Sequence, residues 1–240
     1  MRALMLVLAC ALAAPLWAQD APAPPPRPAP GGGDAGPGGE GPEGGGSGAL
    51  PQLAPCLHVS GLTLENAEKV SDDLEALENT LYVCPSCHGV AYAAGTCCDK
   101  PREERKGLAL GSVAPNPSSG TLSFVVAHGR SVRLTELERE LAADHIEVLR
   151  DRLHLTGRVT LEIQGLADAA AAHSVAEALV AAKLFEEIEV MPPADDGRIA
   201  LIVKRPAPAP APLLHVREEL AKVAPDASVA DVIWTGLLAS

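Results

Sequence analysis

The sequence is poor in aromatic residues and in basic charge. Aromatic side chains make up 2% of the 240 residues, and 19 Lys and Arg stand against 31 Asp and Glu, which gives a net charge of −12 at pH 7. Proteins that bind nucleic acids use Lys and Arg to neutralise phosphates and aromatic rings to stack against bases. The composition therefore predicts no nucleic-acid partner, and the same acidity disfavours attachment to anionic membrane surfaces.

Motifs of common enzyme active sites are also missing. The sequence has no Gly-x-Ser-x-Gly elbow, no phosphate-binding loop, no dinucleotide fingerprint and no His-Glu-x-x-His pair. Scattered histidines, among them His58 and His154, are interpreted as solvated or structural, because their spacing does not form a set of metal ligands. We therefore expect a protein that is not an enzyme.

The N-terminus has the features of an export signal. Arg2 precedes a twelve-residue apolar run, and Ala18 offers a small residue for cleavage. Because a bilayer span needs ~20 apolar residues, the run is too short for a membrane helix. We expect residues 1–18 to be a signal peptide and the protein to be exported, periplasmic or secreted, and not an integral membrane protein. Lipid anchoring at Cys10 is the weaker alternative, since the apolar stretch before it is very short.

Residues 19–53 have the composition of a linker. Between Ala21 and Leu50, 19 of the 30 residues are Pro or Gly, and branched aliphatic residues are almost absent. Such a segment cannot bury enough apolar surface to offset the entropy of ordering it. We expect a disordered tether, extended where it is rich in Pro and flexible where it is rich in Gly.

Residues 54–156 show one order of predicted elements. Apolar alternation predicts a strand at Cys56–Gly61, and helical spacing of apolar residues predicts a helix after it. Thr80–Val83 is predicted as the second strand. After a cysteine-rich insertion at 84–119, Thr121–Ala127 is predicted as the third strand, and a second helix and a short closing strand follow.

The same order returns in residues 157–240. A strand is predicted at Val159–Gln164, a helix at Ala169–Leu184 and a final strand at Val229–Trp234, with two strands and a second helix between them. The alternating Pro and Ala of Pro206–Pro212 are expected to form an exposed extended loop. The sequence thus predicts an α+β fold made of two tandem ferredoxin-like βαββαβ domains.

The two predicted strand-to-helix turns carry a family resemblance. Val59-Ser60-Gly61-Leu62-Thr63 and Ile163-Gln164-Gly165-Leu166-Ala167 resemble the loop of heavy-metal-associated domains, the ferredoxin-like modules of copper chaperones and metal pumps. The resemblance implies that fold and, in an intact loop, two cysteines three residues apart that hold a soft metal. The residues at those positions here are Leu64, Ala67, Asp168 and Ala171. The loops are therefore degenerate, and the resemblance implies no copper binding at them.

Four of the remaining cysteines fall in one short segment. Cys84, Cys87 and His88 lie in a first turn, and Cys97 and Cys98 lie in a second. Cysteines at i and i+3 can point two sulfurs at one ion, and thiolates favour zinc and copper(I). The segment is similar to a short zinc ribbon or to a Tyr-x-Cys-Pro heavy-metal-binding segment. Because adjacent cysteines rarely aim both sulfurs inward, His88 is an alternative fourth ligand.

Two other interpretations of the cysteines remain open. An oxidising compartment favours disulfides, although five cysteines leave one unpaired, a role that Cys56 can take. Covalent haem c is the third interpretation, because Cys84-x-x-Cys87-His88 matches the attachment pattern. The scarcity of aromatic residues and the presence of Met191 as the one methionine after the signal count against haem.

These observations predict an exported, non-catalytic protein whose partner is zinc or another soft metal ion. The alternative is an interaction module of the cell envelope, in which disulfides pin the insertion and the repeats bind an envelope protein partner.

Overall fold

The computed structural model describes residues 54–236, which form a mixed α+β fold. Within these residues there are four helices: α1 (Ala67–Glu75), α2 (Leu134–Ala143), α3 (Ala169–Ala181) and α4 (Leu213–Val223). None of these four is long and apolar enough to cross a membrane. The signal peptide expected at 1–18 and the linker expected at 19–53 lie outside the described residues.

Strands make up most of the regular structure in the same part of the chain. They are β1 (Cys56–Ser60), β2 (Glu78–Val83), β3 (Val90–Ala91), β4 (Thr96–Cys97), β5 (Lys100–Pro101), β6 (Glu103–Leu108), β7 (Leu110–Asn116), β8 (Thr121–Val126), β9 (Ser131–Arg133), β10 (Glu147–Val148), β11 (His154–Leu155), β12 (Val159–Gln164), β13 (Phe185–Val190), β14 (Ile199–Pro206), β15 (Ala211–Pro212) and β16 (Ser228–Thr235). The alternation predicted from the sequence is confirmed in β8 and β12, where every second side chain is buried. One turn of 3₁₀ helix, Arg150–Arg152, separates β10 from β11.

The second half of the fold has the predicted order of elements. Its four long strands lie side by side as β16, β12, β14 and β13, and each neighbouring pair is antiparallel. Counted within this half, the order is fourth, first, third, second. Val175 and Leu179 of α3 and Val216 of α4 are buried in the same apolar cluster as the strand residues Leu161 and Leu201. The two helices therefore cover one face of the sheet, and on the other face Asp231 bonds to Thr135 at the start of α2.

The first half departs from the prediction at its second strand. Thr80–Val83 does lie in a strand, but that strand, β2, pairs with β6 and β3 in a separate sheet. The position beside β8 is taken by β7, against which α1 packs. The segment that leaves the first sheet, called the excursion below, therefore spans residues 78–108, whereas the sequence predicts an insertion at 84–119. A four-residue turn joins β7 to β8, and pairing of such near neighbours costs little loop entropy.

The two halves exchange edge strands. β9, which precedes α2, pairs with β16, and β15 pairs with β11, which in turn pairs with β1. Ala211 in β15 is only 4% exposed, so the end of the Pro-Ala segment is not the exposed loop that its composition predicted. The rings of Phe124 and Trp234 meet edge to face at 5.5 Å between centroids. One continuous apolar core therefore runs through both halves.

The two strand-to-helix turns have the same backbone geometry. Gly61 has φ +85° and Gly165 has φ +82°, a region that favours glycine. A Cβ at Gly61 would lie 2.7 Å from the carbonyl oxygen of His145, and one at Gly165 would lie 2.5 Å from that of Asp226. Each glycine thus lets its turn touch the loop that follows the second helix of its own half.

Candidate metal centre

The cysteine-rich segment stands on the small sheet formed by β3, β2 and β6. Leu81 is completely buried beneath it. The guanidinium of Arg130 donates hydrogen bonds to the carbonyl oxygens of Asn79, Gly107 and Arg105. These contacts fasten the base of the excursion to the loop before β9, so the turns that follow β2 start from a fixed point.

The first turn closes tightly around Cys84. The Cys84 N–H donates to the carbonyl oxygen of Gly89 at 2.9 Å, and the His88 N–H donates to the carbonyl oxygen of Cys84 at 3.0 Å. The Ser86 N–H donates to the Cys84 sulfur at 3.4 Å. His88 has φ 56°, which turns the chain back towards β3. The turn therefore gathers backbone donors around a buried sulfur.

The second turn explains how two adjacent cysteines reach one point. β4 and β5 form a hairpin whose two connecting residues are Cys98 and Asp99, with φ 53° and 58°. Positive φ at both positions is the geometry of a type I′ turn. A left-handed backbone at Cys98 removes it from the strand alternation that would send its side chain away from Cys97. The sulfurs of Cys97 and Cys98 lie 3.9 Å apart.

The structure brings the four cysteine sulfurs of the two turns into one group. The Sγ atoms of Cys84, Cys87, Cys97 and Cys98 all lie within 4.8 Å of one another, and those of Cys87 and Cys97 are 3.6 Å apart. A tetrahedral zinc ion with Zn–S bonds of about 2.3 Å requires sulfurs about 3.8 Å apart. The spacing therefore fits a four-thiolate ion site. His88 is exposed and is not a member of the group.

The thiols of Cys84, Cys97 and Cys98 differ in how readily they lose a proton. Backbone N–H groups of Cys87 and Ser86 lower the pKa of Cys84 to about 6, although its burial acts in the opposite direction. Hydrogen bonding to the sulfur of Cys87 raises the pKa of Cys97 and, with a further contribution from Cys97, raises the pKa of Cys98 to about 12. Several negative charges cannot share so small a volume without a cation. A divalent ion that enters the group would displace the retained protons.

Other residues singled out from the sequence lie elsewhere. Cys56 is on β1, where it is paired with His154 of the neighbouring strand β11. Leu64, at a degenerate loop position, is 83% exposed. Asp168 accepts a hydrogen bond from the Ala171 N–H at 2.8 Å and caps α3. The carboxylate at this loop position therefore serves the helix.

The geometry of Cys84 does not favour the haem interpretation. Its sulfur is completely buried and lies 3.3 Å from the carbonyl oxygen of Cys97. Thioether bonds to a haem would require this sulfur and that of Cys87 to face a porphyrin at the surface. The Cys84 sulfur faces the second turn instead.

Three residues near the centre escaped sequence analysis. Tyr92 lies between the two turns, and the guanidinium of Arg133 stacks on its ring at 4.3 Å from the centroid. Arg133 also pairs with Glu162 at 2.8 Å. Tyr92 follows β3, Arg133 lies on β9 and Glu162 lies on β12, so no spacing in the sequence could have linked them.

Comparisons with known proteins add little. No protein-family model matches the chain, and no curated protein matches it significantly. A solved structure, the water-soluble region of the P-type ATPase CopA from Bacillus subtilis, is similar to 75% of this chain over 91% of its own length, with 12% identity and a TM-score of 0.28. A TM-score this low establishes neither a shared fold nor a shared function.

Proposed function

We propose that this protein is an exported, non-catalytic metal-binding protein that holds zinc or another soft ion through the four cysteines. The convergence of Cys84, Cys87, Cys97 and Cys98 carries the proposal. Four protein ligands complete a tetrahedral sphere and leave no open position for a substrate, as in structural zinc sites. Export rests on the signal-like composition of residues 1–18.

We further infer that the scaffold is a pair of ferredoxin-like units in tandem. Counted within each half, the strand order is the same: β16, β12, β14, β13 in the second half and β10, β1, β8, β7 in the first. The matching geometry of Gly61 and Gly165 supports the inference. In this interpretation the loops that resemble those of heavy-metal-associated domains have lost their thiolates, and the excursion between α1 and β7 supplies the metal ligands.

The bound ion would act mainly on the excursion. Residues 84–98 contain two short turns joined by a segment with little regular structure, and the buried apolar residues of 78–108 are Leu81 and Cys84. An ion that joins the first turn to the second closes the segment between Cys87 and Cys97 into a loop. Ion binding would therefore order this segment, as it does in small metal-dependent modules.

Metal content of the full chain recovered after export tests the proposal. We expect about one zinc equivalent per chain in the unaltered protein, and loss of that metal in Cys84→Ser and Cys97→Ser. Cys56→Ser removes the thiol outside the group and is the matched control, so it should keep the metal. Metal-free protein in which thiol titration finds a single free cysteine would overturn the proposal.

That overturning result would favour the envelope interaction module. The sulfurs of Cys87 and Cys97, 3.6 Å apart, are close enough for oxidation to join them with little movement of the backbone. Cys56 would then be the free thiol. A red protein with a Soret band would instead point to haem.

A further inference from the structure

A cleft of about 630 Å³ separates the cysteine-rich excursion from the face of the second sheet opposite α3 and α4. Residues 87–92 and Arg102 form one wall. The other wall consists of residues of β9, β12, β14 and β16, with Arg158 and Met191 beside them. The cleft therefore lies between the candidate metal centre and the sheet face opposite α3 and α4.

The cleft is basic, although the protein is acidic overall. Its lining includes Arg102, Arg133, Arg158 and Lys204, whereas the chain has a net charge of −12. The acidic lining residue within 54–236 is Glu162, and its carboxylate is already paired with Arg133 and Arg198. Arg102 and Arg158 form no ion pair with any described residue. Two guanidinium groups are thus free for an anion.

Several polar atoms at the cleft have no partner in the described part of the chain. They are the Nε atoms of Arg102 and Arg133 and the hydroxyl of Tyr92, and all three are buried. Burial raises the pKa of Tyr92, so its hydroxyl keeps its proton and remains a donor. Buried donors without acceptors are uncommon in folded proteins and often mark a functional site.

Much of the remaining lining is apolar, although Ser131, Thr160 and Thr235 also contribute. Met191, Ile202 and Ile233 contribute to the sheet wall, and Val90 and Ala91 contribute to the excursion wall. A cavity with a few convergent polar groups and an apolar remainder is typical of sites for small organic molecules. The volume is also in the range of such sites, about 300–1,000 Å³.

We propose that this cleft binds a small organic anion, in which a carboxylate or phosphate group on an apolar body pairs with Arg102 and Arg158. The apolar body lies against Met191 and Ile202. A second part of the proposal rests on the proposed function: the metal ion fixes the excursion wall, since the segment that bears Tyr92 is held at both ends by metal ligands. Ion and anion therefore strengthen each other's binding.

Fluorescence titration of the full chain tests the cleft. The probe is 8-anilinonaphthalene-1-sulfonate, and N-phenyl-1-naphthylamine is its uncharged counterpart. We expect saturable binding of one sulfonate probe per chain, weakened about tenfold or more in Arg102→Gln/Arg158→Gln, because charge-assisted pairing is lost. Arg205→Gln/Arg217→Gln makes the same charge change away from the cleft and should bind the probe as the unaltered protein does.

Further measurements make the outcome decisive. Arg158 is exposed, so Arg158→Gln alone should leave folding intact and still weaken the probe. The uncharged probe should be unaffected by either double change. Equal weakening in both double variants, or none in the cleft variants, would overturn the proposal. Octanoate and octyl phosphate should displace the probe, and the stronger competitor identifies the preferred head group; displacement by neither would also overturn it.

The metal-dependent part has its own measurement. Chelation, or the Cys97→Ser change, should weaken the sulfonate probe, and the probe should in turn slow loss of zinc to a chelator. Unchanged probe affinity after metal removal would overturn the coupling and leave the arginine result intact. If the protein proved to hold no metal, the titration of the arginine variants would still decide the cleft.

Discussion

At the scale of single residues, the backbone geometry at two positions requires glycine for the same reason. Gly61 and Gly165 combine a positive φ with a carbonyl oxygen under 3 Å from the place where a Cβ would lie. Another glycine, Gly157, has φ +74° but nothing within 4 Å of its Cβ position. Comparison of substitutions at these positions therefore distinguishes the destabilisation caused by backbone strain from that caused by a steric clash.

Gly165→Ala should destabilise the fold by roughly 3 kcal/mol, because strain and the clash with the carbonyl of Asp226 add together. Gly157→Ala should cost about 1 kcal/mol, since it brings only the strain. Urea unfolding followed by circular dichroism measures both. Equal losses would show that the loop after α4 moves aside and that close contact at Gly165 does not matter.

Asp231 is a buried acidic residue that connects β16 to the start of α2. It is 2% exposed, and its carboxylate accepts hydrogen bonds from the Thr135 hydroxyl at 2.7 Å, the Thr135 N–H at 3.2 Å and the Val232 N–H at 2.8 Å. Arg133 lies 3.6 Å away. The Asp231 carboxylate therefore links β16 to the start of α2, and its negative charge interacts favourably with the dipole of that helix.

Asp231→Ala should lower the free energy of unfolding by about 2–4 kcal/mol, because it leaves buried donors and Arg133 without this partner. Asp196→Ala removes an exposed carboxylate that pairs with Arg198 and should change stability little. Thermal unfolding of both variants makes the comparison. A small loss at position 231 would mean that water replaces the carboxylate.

At the scale of elements, local patterns were predictable and long-range pairings were not. The apolar stripes of the helices and the alternation of apolar residues in β8 and β12 predict those elements from the local sequence alone. β7 escaped prediction, because its buried residues Leu110 and Val113 are three apart, its register shifts near Ser112, and it contains Pro115. The sequence of β2 does not show that this strand lies outside the first sheet. Its position depends on whether β2 or β7 pairs with β8, which is a long-range interaction.

The candidate site follows the same division. The Cys84-x-x-Cys87 spacing indicated a candidate ion site, because a single turn brings both sulfurs to the same side of the chain. Convergence of Cys97 and Cys98 required a type I′ turn at Cys98-Asp99, which lacks the glycine that usually signals one. The cleft was not predictable, because its two walls come from segments that only the tertiary fold brings together.

Metal removal should loosen the excursion and leave the rest of the fold intact. Chelation should speed tryptic cleavage after Arg102, which follows the second turn, because the ion no longer joins the two turns. Cleavage after Arg217, an exposed residue of α4, should not change and is the internal control. Mass spectrometry of the fragments measures both rates. Unchanged cleavage after Arg102 would show that the ion does not hold the hairpin.

At the scale of the whole molecule, the halves depend on each other. β9 completes an edge of the second sheet, β15 completes an edge of the first, and Phe124 packs against Trp234 across the two. Separate unfolding of either half would expose a sheet edge and part of the shared core. We therefore expect the described part of the chain to unfold as one cooperative unit.

In a chain that starts at residue 19, Trp234 is the only tryptophan, and it is 1% exposed. Its fluorescence and the far-ultraviolet circular dichroism should give the same urea midpoint, because the ring reports on both halves. Phe124→Ala should shift both midpoints together, at a cost of about 3–5 kcal/mol. Two separate midpoints would contradict cooperative unfolding.

The exchanged strands also determine where this chain tolerates rearrangement. A cut at 156/157 separates the halves neatly in sequence, yet it would strip β9 from one product and β15 from the other. The exposed segment 192–197, between β13 and β14, interrupts no shared strand. Circular permutants that open there should therefore survive, whereas recombination at the apparent boundary would yield fragments with bare, aggregation-prone edges.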